Sequence, residues 1–193
     1  MATRPVLHHV NLKTTRLQEM IDWYAAAIGT EVVFRNDVAA WLSNDGANHR
    51  IALLAFPGYR DDPDKERSTG IHHTAYEFAS FDDLMATYAR LRGEGIRPVA
   101  CLDHGMTTSL YYRDPDGNRV ELQTDNFGDW EQSRAFMLNA PEFEANPIGV
   151  FFDPDAVLSA YEAGADFAEI HRRATAGEFL PEDVPDMGIP EPE

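Results

Sequence analysis

The sequence predicts an α+β protein made of two βαβββ modules followed by a C-terminal helical extension. Three observations carry that reading. A His-His pair inside a run of β-type residues occurs twice, in VLHHVNL (6–12) and GIHHTAYEF (70–78), with His9 and His73 64 positions apart. Each copy is followed by an amphipathic helical pattern and then by three short strand-like runs. From Asp129 onward 15 Asp and Glu stand against 3 Arg, so this last third holds −12 of the formal −17 charge and the first 128 residues hold −5. A lone βαβββ unit is too small to cover both faces of its sheet, so two units in one domain support each other.

The elements follow in order. After the first strand, Leu17, Met20, Ile21, Tyr24 and Ala25 recur at intervals of three and four and predict a helix that stops near Gly29. The runs 31–35 (EVVFR), 38–43 (VAAWLS) and 49–56 (HRIALLAF) then close a first module over about 5–57. PGYRDDPDKERSTG, 57–70, is polar and rich in Gly and Pro, which reads first as a linker and second as an active-site flap. The second module, about 70–127, repeats the order, with Leu84, Tyr88 and Leu91 on a helix ending near Gly93 and strands at 97–102, 107–112 and 119–124. Residues 1–127 are thus expected to form the paired-module domain, and 128–193 an acidic, partly helical extension. Within it, Asp153 as N-cap, Pro154 in the first turn and a stripe of Val157, Leu158, Tyr161, Ala165, Ala168 and Ile170 predict one helix from about 155 to 173. Pro181, Pro185, Pro190 and Pro192 forbid regular structure over most of the tail.

Composition narrows the function classes. Apolar residues make up 44% and charged residues 25% of the 193, as in an ordinary soluble protein, and no apolar run reaches membrane-spanning length. The net charge argues against nucleic acid and against an anionic membrane surface, since both need clustered Lys and Arg. MATRPVLHHVNL lacks the apolar stretch and cleavage site of a secretory signal. One cysteine, Cys101, allows no internal disulfide and reads as a buried inert thiol, so a cytoplasmic location is expected. The apolar stripe of the extension needs covering by the core or by a neighbouring subunit, which makes a homo-oligomer the expectation.

Strand parity selects the chemistry. It places His9 with Asn11 on one face and His8 with Val10 on the other; His73 shares a face with Ala75, and His72 with Thr74. Glu121, between Val120 and Leu122, opposes its neighbours in the same way. Singly, a strand histidine is more often a hydrogen-bonded structural residue than a ligand, and a strand glutamate usually faces solvent. Together, one histidine from each first strand and this glutamate suit the 2-His-1-carboxylate arrangement that leaves open positions on Fe(II). An ionised glutamate inside a core is otherwise very costly, and a divalent metal supplies the missing charge. Asp114, Asp116 and Asn118 read as turn residues. His49, at the head of the first module's last strand, and His104, seven residues before Tyr111, are the next candidates to handle protons.

At this point the chain resembles the type I extradiol, ring-cleaving dioxygenases of the vicinal oxygen chelate superfamily. The carrying segment is His104-GMTTS-Leu110-Tyr111-YR-Asp114-Pro115-D-Gly117-NRV-Glu121, which departs from the family's signature at Leu102, where a small or β-branched residue is usual. VLHHVNL and GIHHTAYEF are similar to the two ligand strands, and NHRIALLAF to the segment bearing the acid-base histidine. The likeness covers 6–127, and NPIGVFFDPDAV with its helix looks like the tail of the one-domain, biphenyldiol-type members. The resemblance implies Fe(II), with Mn(II) as the alternative, held by His9, His73 and Glu121. It implies a catechol-type diol and O₂ as substrates, His49 as base and then acid, and Tyr111 and His104 as hydrogen-bonding partners of substrate oxygens. Metal-dependent isomerases, lyases and epimerases of the superfamily usually add a fourth protein ligand from the first module's last strand, and here RIALLAF offers no carboxylate. A non-catalytic binder of small aromatic molecules is the alternative of a different class.

Overall fold

The computed structural model describes residues 3–188; Pro190 and Pro192 of the expected irregular tail lie outside them. Two compact units emerge: one runs up to Ser68 and includes Asp114–Asn118, and the other comprises Thr69–Arg113 with the chain from Arg119 onward. The α+β class and the repeated βαβββ order are as the sequence predicts.

The first unit contains β1 (Val10–Lys13), α1 (Leu17–Ile28), β2 (Glu31–Arg35), β3 (Ala39–Ser43) and β4 (Ile51–Leu54). Its sheet has the order β1-β4-β3-β2, with β1 parallel to β4 and the other pairs antiparallel. The register puts Leu12, Leu53, Ala40, Ile51 and Leu42 on one face, and α1, which packs on β3 and β4, buries Met20, Ile21, Tyr24 and Ala27. The first strand is shorter than expected: 3–9 has no regular structure. Val10 N donates to Arg50 O, and beyond that point Asp45 closes a turn on Ala47 N and Arg50, so residues 6–9 have no strand to pair with.

The second unit contains β5 (His73–Phe78), α2 (Phe81–Gly93), β6 (Ala100–Asp103), β7 (Thr107–Arg113) and β8 (Arg119–Asp125). The extension adds α3 (Trp130–Asn139), α4 (Pro141–Ala145), β9 (Val150–Phe151), α5 (Pro154–Glu162) and α6 (Phe167–Thr175). The sheet order is β5-β8-β7-β6-β9, with β5 parallel to β8. Thr74, Tyr76, Val120, Leu122, Leu110, Tyr112 and Cys101 lie on one face, and α2, in contact with β5 and β8, buries Leu84, Met85, Tyr88 and Leu91. Cys101 is buried, and burial pushes its thiol well up, so it is unreactive.

Two features of the extension differ from expectation. The single helix over 155–173 is two helices, because Gly164 takes φ +98°, its N–H turns to Tyr161 O, and Asp166 opens α6 by accepting from Glu169 N. Left-handed backbone of that kind suits glycine and ends a helix. The elements α3, α4 and β9 are additions, and β9 lengthens the sheet by pairing with β6. Gly149, just before β9, is required there: a Cβ would stand 2.1 Å from Asp103 O. The 57–70 stretch contains one 3-10 turn, Lys65–Arg67, and the boundary between the units falls after Ser68. Among the described residues, no helix is long and apolar enough to cross a membrane.

Candidate active site

In the second unit the face away from α2 carries the chemistry. Ala75, Glu121, Tyr111 and Ala100 are direct cross-strand neighbours on β5, β8, β7 and β6, and His73 stands two residues before Ala75 on the same face. Glu121 is 5% exposed. Its Oε2 lies 3.0 Å from His73 Nε2, and its Oε1 accepts from the Tyr111 hydroxyl at 2.9 Å. His104 continues the chain, with Nε2 2.9 Å from the same hydroxyl and Nδ1 2.6 Å from Ile148 O. A carbonyl oxygen only accepts, so Nδ1 of His104 carries a proton and, in the neutral ring, Nε2 is an acceptor. The single phenol proton of Tyr111 therefore has two acceptors, a carboxylate and an imidazole.

The electrostatics follow from these contacts. Burial pushes the Glu121 carboxyl up, but hydrogen bonds from His73, Ser109 and Tyr111 together hold it below its ordinary value. It is ionised at neutral pH. Burial, and then the charge of Glu121, push the Tyr111 phenol well up, so it stays a proton donor.

Local sequence explains the alignment. Asp114 closes the turn between β7 and β8 by accepting from the N–H groups of Asp116 and Asn118 on Oδ1 and from Asn118 Nδ2 on Oδ2. Within the first unit Tyr24 OH also donates to Asp114, and Arg16 pairs with Asp116 at 2.7 Å. The Asp114 carboxyl is buried, which raises it above the ordinary carboxylate value despite those bonds. This turn sets the register in which Tyr111 faces Glu121.

In the first unit His8, His9 and His49 converge. The His9 and His49 ring centroids are 4.3 Å apart, those of His8 and His49 5.5 Å, and one ring nitrogen from each residue lies within 4.8 Å of the others. The opposed facing of His8 and His9 expected from strand parity does not hold, because residues 3–9 are not in the ladder. His49 likewise precedes β4 rather than opening it. Burial, and then the neighbouring His9 and His8, lower the His49 imidazole, which keeps it neutral and able to accept a proton.

The profile of the Glyoxalase/Bleomycin resistance protein/Dioxygenase superfamily matches residues 6–122. The chain belongs to that superfamily. It is 41% identical to "Biphenyl-2,3-diol 1,2-dioxygenase 2" of Rhodococcus globerulus over 98% of each chain. It is 42% identical to "Biphenyl-2,3-diol 1,2-dioxygenase 3" of the same organism over 91% of this chain and 92% of that one. A solved glyoxylase/bleomycin resistance protein/dioxygenase domain from Frankia sp. EAN1pec shares the fold, at TM-score 0.54 and 21% identity over 64% of this chain and 99% of that one.

A superfamily member of this kind implies a metal, and the donors suit one. His73 Nε2 stands 3.0 Å from the buried carboxylate of Glu121, so an imidazole and an anionic oxygen are already side by side. A buried carboxylate beside an imidazole is donor chemistry that suits a divalent metal ion. Of the sequence candidates, His73, Glu121, Tyr111 and His104 form one connected group in the second unit, and His9 and His49 form another in the first.

Two supporting features escape the sequence reading. Ile148 holds His104 through a backbone carbonyl, which no side-chain pattern reveals. Asp103, 1% exposed, accepts from Gly105 N and pairs with His171 of α6 at 2.7 Å. Its signal was available: Asp103 ends an apolar run just as Glu121 interrupts one.

Proposed function

We propose that this protein is an extradiol dioxygenase, cleaving a catechol-type diol with O₂ at an Fe(II) centre held by His9, His73 and Glu121. The observation that carries the reading is the hydrogen-bonded chain His73–Glu121–Tyr111–His104, with Glu121 and Tyr111 buried and the two imidazoles half-buried. Its support from the comparisons is the near-full-length likeness to two proteins named as biphenyl-2,3-diol 1,2-dioxygenases.

Fe(II), when bound, acidifies the diol hydroxyls and gives electrons a path from the diol to O₂. Mn(II) shares these ligand preferences. The chain's own groups do the rest. Glu121 would contribute the negative charge that balances a divalent ion, and without the metal the hydrogen bonds from His73, Ser109 and Tyr111 hold its carboxyl below the ordinary value against burial. His49, neutral because burial lowers it, takes a proton from a diol hydroxyl and returns it when the O–O bond is cleaved. Tyr111 would donate a hydrogen bond from its hydroxyl to a substrate oxygen, and His104 Nε2, an acceptor 2.9 Å away, helps to orient that hydroxyl. The Ile148 carbonyl keeps the imidazole in the tautomer whose Nε2 accepts.

Anaerobic reconstitution with Fe(II), and separately with Mn(II), tests the proposal. Oxygen uptake and a coloured ring-fission product are expected with 2,3-dihydroxybiphenyl or catechol. No uptake with either metal across a small catechol panel sinks the reading.

A further inference from the structure

The site face of the second unit changes character along its rows. Glu121 and His73 stand at one end, Tyr111 lies in the middle, and Ala100, Leu102 and Phe151 extend beyond it on β6 and β9. The polar end offers donors and a hydrogen-bonded chain. The far end offers hydrocarbon alone.

The chain's own C-terminal segment lies across that hydrocarbon end. Met187, half-buried, packs with Phe151 against Ala100, Leu102 and Tyr111. Two side chains lie against the segment's backbone: Arg119 Nη2 donates to Asp186 O at 3.3 Å, and His72 Nε2, itself 3.0 Å from Arg119 Nη1, is 2.9 Å from Met187 O. His72 adjoins the donor His73, and Arg119 is two residues before Glu121 on β8. These contacts are thus anchored beside the donors themselves, and the same two stretches of chain hold both the reactive group and the tail.

We propose that Met187 is a specificity-determining residue of the diol site, forming the apolar wall that meets the substituent of the aromatic ring. The inference rests on the ring-cleaving reading above. A substituted diol is polar at its hydroxyl edge and apolar elsewhere. With the hydroxyls at the Glu121–His73 end, a substituent reaching past Tyr111 arrives at Met187. An unbranched, polarisable thioether suits this place, because it fills irregular gaps and makes favourable contacts with aromatic edges.

The test compares Met187→Ala and Met187→Trp with the unaltered, metal-loaded protein. The first removes the wall's contacts, and the second puts a bulkier ring against Tyr111. Changes of this size in an apolar pocket alter discrimination by roughly 10- to 200-fold. Both variants should lower kcat/KM for 2,3-dihydroxybiphenyl by at least about tenfold more than they lower it for catechol. Anaerobic calorimetric titration should show the same loss of binding for the larger diol. Equal effects on both diols, or none, overturn the assignment and leave Met187 a structural contact of the tail. If the unaltered protein takes up no oxygen, the ring-cleaving reading fails, and the ratio of the two binding constants still decides Met187.

Discussion

In the second unit each candidate side chain stands on a strand or at its end and is held by a neighbour at 2.6–3.0 Å. In the first unit His8, His9 and His49 sit on irregular chain beside β1 and β4 and contact one another through their rings. The same sequence device, a His-His pair ahead of a helix, has therefore produced two different environments. His8 and His9 are both exposed, whereas His73 is drawn against a buried carboxylate. The difference is the partner strand. His73 is paired with Arg119 on β8, while nothing continues β4 upstream of Ile51 to hold His9. Preorganised donors cost no reorganisation when charge develops, so the second unit should dominate metal affinity and the first should contribute chiefly to proton handling.

Breaking the stronger half tests this most sharply. Glu121→Ala removes the buried anion and leaves His73 and Tyr111 without their shared partner. Iron content, measured by elemental analysis after reconstitution and gel filtration, should fall to below about a tenth of the unaltered level, since even losing a residue that merely supports a ligand costs roughly 10- to 100-fold in affinity. Unchanged iron content would refute the ligand assignment. The corresponding change in the other half, His49→Ala, should keep the iron and lower kcat by roughly 10²- to 10⁴-fold, the range for a positioned acid-base group. Full turnover in that variant would exclude the role given to His49.

Smaller effects sharpen the contrast. Tyr111→Phe strands Glu121 Oε1 and His104 Nε2; kcat should drop roughly 10- to 100-fold, with iron retained. His8→Ala is the matching change in the first unit: His8 lies outside the proposed donor set, so iron content should stay within about twofold, while kcat should fall less than in His49→Ala, because His8 only neighbours that imidazole.

The least effect is on stability, and it depends on pH. Asp103 raises the His171 imidazole above its ordinary value, chiefly through their hydrogen bond. A group raised on folding stabilises fully below its unfolded value of about 6.5, and that contribution is lost as pH rises through the folded value. The difference in Tm between the unaltered protein and His171→Ala should be largest near pH 6 and shrink toward pH 9. Leaving Asp103 buried without its partner costs on the order of 1–3 kcal/mol. A difference that grows with pH would show that the pair does not anchor α6.

Much of this architecture is legible in the sequence because it rests on local periodicity. The repeated strand-helix-strand order, the helix stop at Gly29, and the alternation of Val120, Glu121 and Leu122 are properties of neighbouring residues, and backbone geometry converts them directly into faces. The break at Gly164 was legible in principle: glycine followed two residues later by Asp166, with Glu169 three further on, is a helix stop and a new cap. The apolar stripe through Ala165 and Ala168 masks it, because alanines fit a helical pattern without demanding one. The short β9 and the contacts on the tail at Met187 had no local signal at all, since their partners are Leu102, Asp103, His72 and Arg119, far away in the chain.

By itself, then, the sequence determined which residues share a face, where the chain turns at Asp114–Asn118, and which side chains have metal-ligand or proton-transfer chemistry to offer. The tertiary structure alone decided that Glu121 is buried yet ionised, that Tyr111 has two acceptors for one proton, that His104 is oriented by a carbonyl from the extension, and that the tail lies over the apolar end of the site face. The physical reason is that ionisation, hydrogen-bond direction and burial depend on which atoms come within about 3 Å, and for these groups the deciding partners lie 7 to 115 residues away in the chain.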